Sequence, residues 1–180
     1  MKKISLKFMV RTALLAALSL VLMRIETPPL FGTPFLKLDL SDVPAALAGL
    51  AFGPFSGFMV EVIKNLVNLL FTDSAGIGQL ANLIYGSILV LSISFAGKLK
   101  FLKNRKANLL LTGTLGTVIM TVSAYFINLY VMFPLYTVFM PMEILLGFMP
   151  AVIAFNLVKG VVVTVVSALL FWRLENILTK

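Results

Sequence analysis

Near the end of the chain an apolar run, from Pro150 to Trp172, carries an amide and an amine three residues apart, Asn156 and Lys159. On a helix that spacing puts both on one face. Counted from Pro150 at 1.5 Å per residue, Lys159 lies roughly 13 Å down the axis, below a headgroup layer. A lysine near the middle of a bilayer costs about 2.5 to 3.5 kcal/mol on insertion scales. Such a residue faces a polar cavity, a partner or a ligand, or else snorkels back to the interface. A snorkelling lysine needs no amide beside it, and Asn156 therefore favours the cavity. A second polar set, Glu61, Lys64, Asn65 and Asn68, interrupts another apolar run. Glu61 and Lys64 have the spacing of an internal ion pair, while the two asparagines act as helix glue or line a cavity.

Amides and an ammonium hold the polar edge of a small molecule; the groups that break bonds are scarce. There is no histidine and no cysteine, which removes the commonest metal ligand, the usual acid–base group and all thiolate chemistry. No Gly-rich G-x-x-x-x-G-K-[ST] loop is present to cradle nucleotide phosphates. The reading is a non-enzyme without a cofactor or metal.

The elements that position these residues follow from composition. Hydrophobic residues make up 60% of the 180, charged residues 12%, and mean hydropathy is +1.05. That is the mix of an integral membrane protein. The apolar runs are continuous and lack the alternation of a barrel strand, so the class is an all-α bundle, one domain over 1–180. The net charge of +8 is no nucleic-acid signal, because the basic residues cluster at Lys2, Lys3, Lys7 and Arg11, between Lys98 and Lys106, and at Arg173 and Lys180. By the positive-inside rule these clusters are cytoplasmic.

Six spans satisfy that rule with both termini inside: 8–25, 42–53, 55–71, 77–96, 109–132 and 150–172. Gly53-Pro54 divides what would otherwise be a helix of about 46 Å, too long for one crossing of about 30 Å. Ser41, Asp42 and Pro44 form a helix start. In the first span Ala13 and Ala17 make a small-xxx-small pair, open either to a neighbour within the bundle or to an external partner. Between the first two spans lies a proline-rich connection in which Lys37 and Asp39 alternate with Leu36, Leu38 and Leu40; it is either a solvated loop or a lid whose leucines cover something. Residues 134–150 are apolar, broken by Pro141 and contain Glu143; they are expected to form an outer re-entrant or interfacial connection.

In this topology Lys37, Asp39, Gln79, Asn82, Asn128, Glu143, Asn156 and Lys159 gather at the outer end, with Tyr85 in the early turns of span four. The inner half of the spans is nearly free of such groups. That describes a closed outer pocket floored by amides and a cation, not a pore. The matching halves with paired broken helices common in secondary transporters are missing. A binding subunit and a self-sufficient channel or ion-coupled carrier are the two function classes to separate.

The chain resembles the substrate-binding S components of energy-coupling factor (ECF) vitamin importers, and among them the riboflavin-specific members. The resemblance rests on Phe35-Leu36-Lys37-Leu38-Asp39-Leu40-Ser41-Asp42-Val43-Pro44, Ala48-Gly49, Phe52-Gly53-Pro54, Lys64-Asn65-Leu66 and Asn156-Leu157-Val158-Lys159-Gly160. It implies a six-helix bundle in the cell membrane that takes up riboflavin from outside. It also implies docking on a membrane scaffold subunit through Ala13 and Ala17, with two cytoplasmic ATPases powering release. Carried over by position, Asn128, Asn156 and Lys159 hold the flavin's polar groups, Lys37, Leu38 and Asp39 cover it, and Asn82 and Glu143 are further candidates. Lys159 also offers a cation to the phosphorylated flavin, FMN.

Overall fold

The computed structural model describes residues 6–72, 74–95 and 101–178, the last four by backbone alone. Lys2, Lys3, Asp73, Ala96, Lys98, Lys100 and Lys180 lie outside the described residues. Among the described residues there are eight α-helices: α1 Leu6–Met23, α2 Asp42–Phe52, α3 Pro54–Asn68, α4 Ile77–Ser94, α5 Arg105–Ile127, α6 Phe133–Tyr136, α7 Met142–Gly147 and α8 Met149–Leu178. Five helical stretches are long and apolar enough to cross a membrane, and α2 is a shorter apolar helix. The chain is an all-α integral membrane protein.

The break between α2 and α3 falls where Gly53-Pro54 predicts it. Gly53 takes φ of +103°, which only glycine adopts without strain, and Pro54 opens α3. The helix start at Ser41 is used differently from expectation. Its side chain makes no cap bond; instead the Ser41 N–H donates to Asp39 Oδ1 at 2.7 Å, and its hydroxyl accepts from Lys64 Nζ at 2.9 Å.

The fifth span is longer than expected at both ends. Asn104 accepts from the N–H groups of Lys106 and Ala107, at 2.9 and 3.3 Å, and starts the helix at Arg105. At the other end Pro134 does not terminate it. A π-helical stretch, Asn128–Met132, precedes the proline, and this wider turn relieves the clash of the ring with the preceding carbonyls. The helix then runs on to Tyr136. The expected connection shrinks to a turn and the short α7.

Close helix contacts come from paired small residues. Gly113 of α5 lies against Thr164 of α8, and Gly160 of α8 lies against Thr117 of α5, so the two backbones approach where side chains are smallest. On α1 the inward face is Thr12, Ala16, Ser19 and Met23. Thr12 and Ser56 hydroxyls hydrogen-bond at 2.7 Å, and the Ser19 hydroxyl donates to the Ser41 carbonyl. Ala13 and Ala17 are exposed on the opposite face, beside exposed Leu14, Leu18 and Val21. That settles which helix face they occupy: they do not pack within the bundle.

Candidate ligand-binding site

At the end of the bundle remote from Leu6, Arg105 and the end of α8, the helices splay around a cavity of about 400 Å³. The last turn of α3, the first turns of α4, the π-helical end of α5 and the start of α8 supply its wall. The first connection supplies Phe35, Leu36, Lys37 and Asp39. This connection is folded back on itself: Thr27 N–H donates to the Leu38 carbonyl at 2.9 Å, Leu38 N–H to Thr27 Oγ1 at 3.0 Å, and Leu30 N–H to the Leu36 carbonyl at 2.8 Å. Backbone groups that would otherwise lack partners at a buried edge are thereby satisfied. Phe35 stacks on Tyr136, with centroids 5.1 Å apart and planes 25° apart, and meets Phe148 edge-on at 5.8 Å. The connection is thus docked on the bundle.

Its leucines behave individually. Leu36 is buried and Leu38 half-buried against a cluster of Met132, Phe133, Tyr136, Leu145 and Phe155, whereas Leu40 is exposed. The cavity side of the docked loop is Phe35, Leu36, Lys37 and Asp39; Leu38 is not in the lining.

Lys37, Asp39, Gln79, Asn82, Tyr85, Asn128, Asn156 and Lys159 all line the cavity. Glu143 does not. Leu145 is the buried residue of α7, and two residues back, roughly 200° around the helix, Glu143 is exposed. Asn128 and Asn156 each donate to the carbonyl four residues earlier, Ala124 at 2.7 Å and Val152 at 2.9 Å, and Asn128 also donates to the Tyr85 hydroxyl at 2.7 Å. These bonds fix the amides in place. Gln79 accepts from the Thr72 hydroxyl at 2.7 Å. Lys37 pairs with Glu26 at the half-exposed mouth.

Lys159 does not snorkel. It is 7% exposed, and its ammonium lies 3.1 Å from Asn82 Oδ1, 3.2 Å from Asp42 Oδ2 and 3.5 Å from Asp39 Oδ2. The expected Glu61–Lys64 pair forms at 2.9 Å, and Lys64 also bonds Asp42. Asn65 donates to the Glu61 carbonyl of its own helix at 2.9 Å and does not line the cavity, while Asn68 lines the cavity and accepts from Arg24 at 3.5 Å. Sequence reasoning missed Tyr136, Phe139 and Phe155 in the lining and Arg24 at the mouth. For Phe155 the signal was available in its position next to Asn156; Tyr136 and Phe139 lie past Pro134, in the stretch expected to be a connection, and Arg24 carried no site signal in the sequence.

A membrane-embedded helical bundle with an aromatic-walled, amide-floored cavity at one end is a protein that captures a small molecule at a membrane. The chain belongs to the substrate-specific components of ECF transporters, whose family pattern it matches over residues 7–171. It is similar to the riboflavin transporter RibU of Staphylococcus aureus, 34% identical over 97% of this chain and 93% of that one. It is likewise similar to the riboflavin transporter FmnP of Bacillus subtilis, 36% identical over 94% and 92%. A solved structure of the S component of a bacterial ECF transporter superimposes with a TM-score of 0.79 at 35% identity, covering 97% of this chain and 98% of its own. The chain is a multi-pass cell membrane protein.

Proposed function

We propose that this chain is the riboflavin-binding S component of an ECF-type importer. One observation carries the reading: in a chain of this family, a cavity of about 400 Å³ joins aromatic walls to a floor of Asn82, Asn128, Asn156 and Lys159. The volume falls within the roughly 300 to 1,000 Å³ of small-molecule sites. A flavin has a flat apolar body and a polar edge, which suits a slot lined by Phe35, Tyr85, Tyr136 and Phe155 and ending in amides and an ammonium. Buried donors and acceptors left unpaired by a wrong ligand cost about 1 to 3 kcal/mol each, which supports selectivity. Asp39 adds a carboxylate beside the Lys159 ammonium, and Gln79 and Lys37 complete the site toward the mouth.

In the membrane the chain forms one domain with six crossings, α2 being the short one, and both termini cytoplasmic. The vitamin enters from outside. Ala13 and Ala17, exposed on α1, form the docking face for a membrane scaffold subunit, and two cytoplasmic ATPases complete the importer. The small side chains let a partner helix approach closely.

The test is the visible absorption spectrum of the detergent-purified protein beside its Lys159→Ala variant. A flavin spectrum retained by the wild type and weakened in the variant is expected. A colourless wild type that also fails to quench added riboflavin fluorescence would refute the ligand. Reconstitution tests the class: flavin transport by this chain alone in liposomes would refute a binding subunit.

A further inference from the structure

Three charged groups stand directly behind the cavity floor without lining the cavity. Asp42, Glu61 and Lys64 are each 0% exposed, and none belongs to the lining. Asp42 is the bridge among them: Oδ1 accepts from Lys64 Nζ, and Oδ2 lies 3.2 Å from Lys159 Nζ. Lys64 Nζ also reaches Glu61 Oε1 at 2.9 Å and the Ser41 hydroxyl at 2.9 Å. Gly86 on α4 makes the space. A Cβ there would meet Glu61 Oε2 at 2.6 Å and Asp42 Oδ1 at 3.2 Å.

Stability alone gives no reason for this set. Withdrawing ions from water costs several kcal/mol each, and well-packed apolar residues of similar volume commonly serve as well or better. What the set does provide is a fixed seat for one further cation. The Lys159 ammonium has three N–H groups, and three acceptors surround it, from Asp42, Asn82 and Asp39. Asp42 cannot swing away, because Lys64 holds its other oxygen. The carboxylates of Asp39, Asp42 and Glu61 face the ammonium groups of Lys64 and Lys159, so the floor carries no surplus positive charge. Lys159 is therefore a hydrogen-bond donor whose charge is already balanced.

We propose that Asp42, locked by Lys64 and Glu61, is a positioning residue that fixes the Lys159 ammonium at the cavity floor for hydrogen bonding to the ligand. The proposal rests on the riboflavin reading. Asp39, on the docked loop and at 3.5 Å the longest of the three contacts, is the partner a ligand carbonyl replaces.

The test is a thermodynamic cycle on riboflavin affinity, read by quenching of riboflavin fluorescence with the purified full chain. Lys64→Met/Glu61→Gln removes one positive and one negative group, keeps the formal balance and leaves the cavity lining intact. In the wild-type background it is expected to raise Kd at least tenfold; in the Lys159→Met background, less than threefold. A merely structural role would weaken binding by the same factor in both. That result, or no weakening in the wild-type background, overturns the proposal. If Lys159→Met does not fold, Lys159→Met/Asp39→Asn, which restores the formal balance, replaces it as the background. A wild type that fails to quench riboflavin overturns this proposal together with the function above; a wild type that binds, with equal factors in the two backgrounds, overturns this one alone.

Discussion

Phe35 is the residue whose removal should most directly change how long a ligand stays. It reaches from the first connection across the cavity edge to stack on Tyr136 at 5.1 Å and to meet Phe148 edge-on at 5.8 Å. Each aromatic pair contributes about 0.5 to 1.5 kcal/mol beyond the area it buries, so the two together hold the loop down by about 1 to 3 kcal/mol. The backbone bonds between Thr27 and Leu38 and between Leu30 and Leu36 survive the substitution, and the loop keeps its own fold. Phe35→Ala therefore loosens docking without unfolding the connection. If the docked loop must lift for the ligand to leave, the dissociation rate rises by about 5- to 150-fold, at tenfold per 1.4 kcal/mol. The assay loads the purified protein with riboflavin, dilutes it into buffer to far below Kd so that rebinding is negligible, and follows the recovery of free riboflavin fluorescence. A dissociation rate within twofold of wild type would refute the reasoning and place the exit elsewhere than under Phe35.

Lys159→Met removes a charged donor from the floor, worth about 1.5 to 3 kcal/mol; riboflavin Kd should rise about 10- to 100-fold by fluorescence titration, and an unchanged Kd would remove Lys159 from the site. Ala13→Leu with Ala17→Leu adds bulk only to the exposed face of α1, so binding should stay within twofold of wild type while uptake into vesicles carrying the complete transporter is lost; normal uptake would exclude this face as the docking surface. Gly160→Ala drives a methyl group into Thr117, whose Oγ1 a Cβ would meet at 2.6 Å. Overpacking of this kind costs about 1 to 3 kcal/mol, seen as a lower thermal unfolding midpoint of the ligand-free protein, and Thr117→Ala should restore part of it. Equal midpoints with and without Thr117→Ala would show that the α5–α8 contact yields elsewhere.

Much of this architecture is legible in the sequence because membranes leave few choices. Continuous apolar runs must be helical, and Gly53-Pro54 marks a break that length alone already requires. The boundaries were less legible where one rule competed with another. Pro134 reads as a stop, yet the π-helical turn at Asn128–Met132 carries the helix past it, and no local propensity signals a wider turn. The start at Arg105 depends on Asn104 finding two backbone donors, a bond that the run of neighbouring lysines obscures.

The site divides in the same way. Asn156 with Lys159, and Glu61 with Lys64, are visible because each pair shares one helix and a spacing of three fixes a common face. What a spacing rule cannot supply is the partner across helices. Lys64 looks complete once Glu61 is assigned to it, and Asp42 looks complete as a helix-start residue. The fold instead joins them through α2 and α3 and brings Lys159 of α8 to the other oxygen of the same carboxylate. Two features that read separately as a structural ion pair and a ligand-binding cation are one network, and Asp42 is the atom-level reason. The lysine at the cavity floor is held at membrane depth by Asp42, more than a hundred positions earlier, with Lys64 and Glu61 behind it, and none of these three lines the cavity.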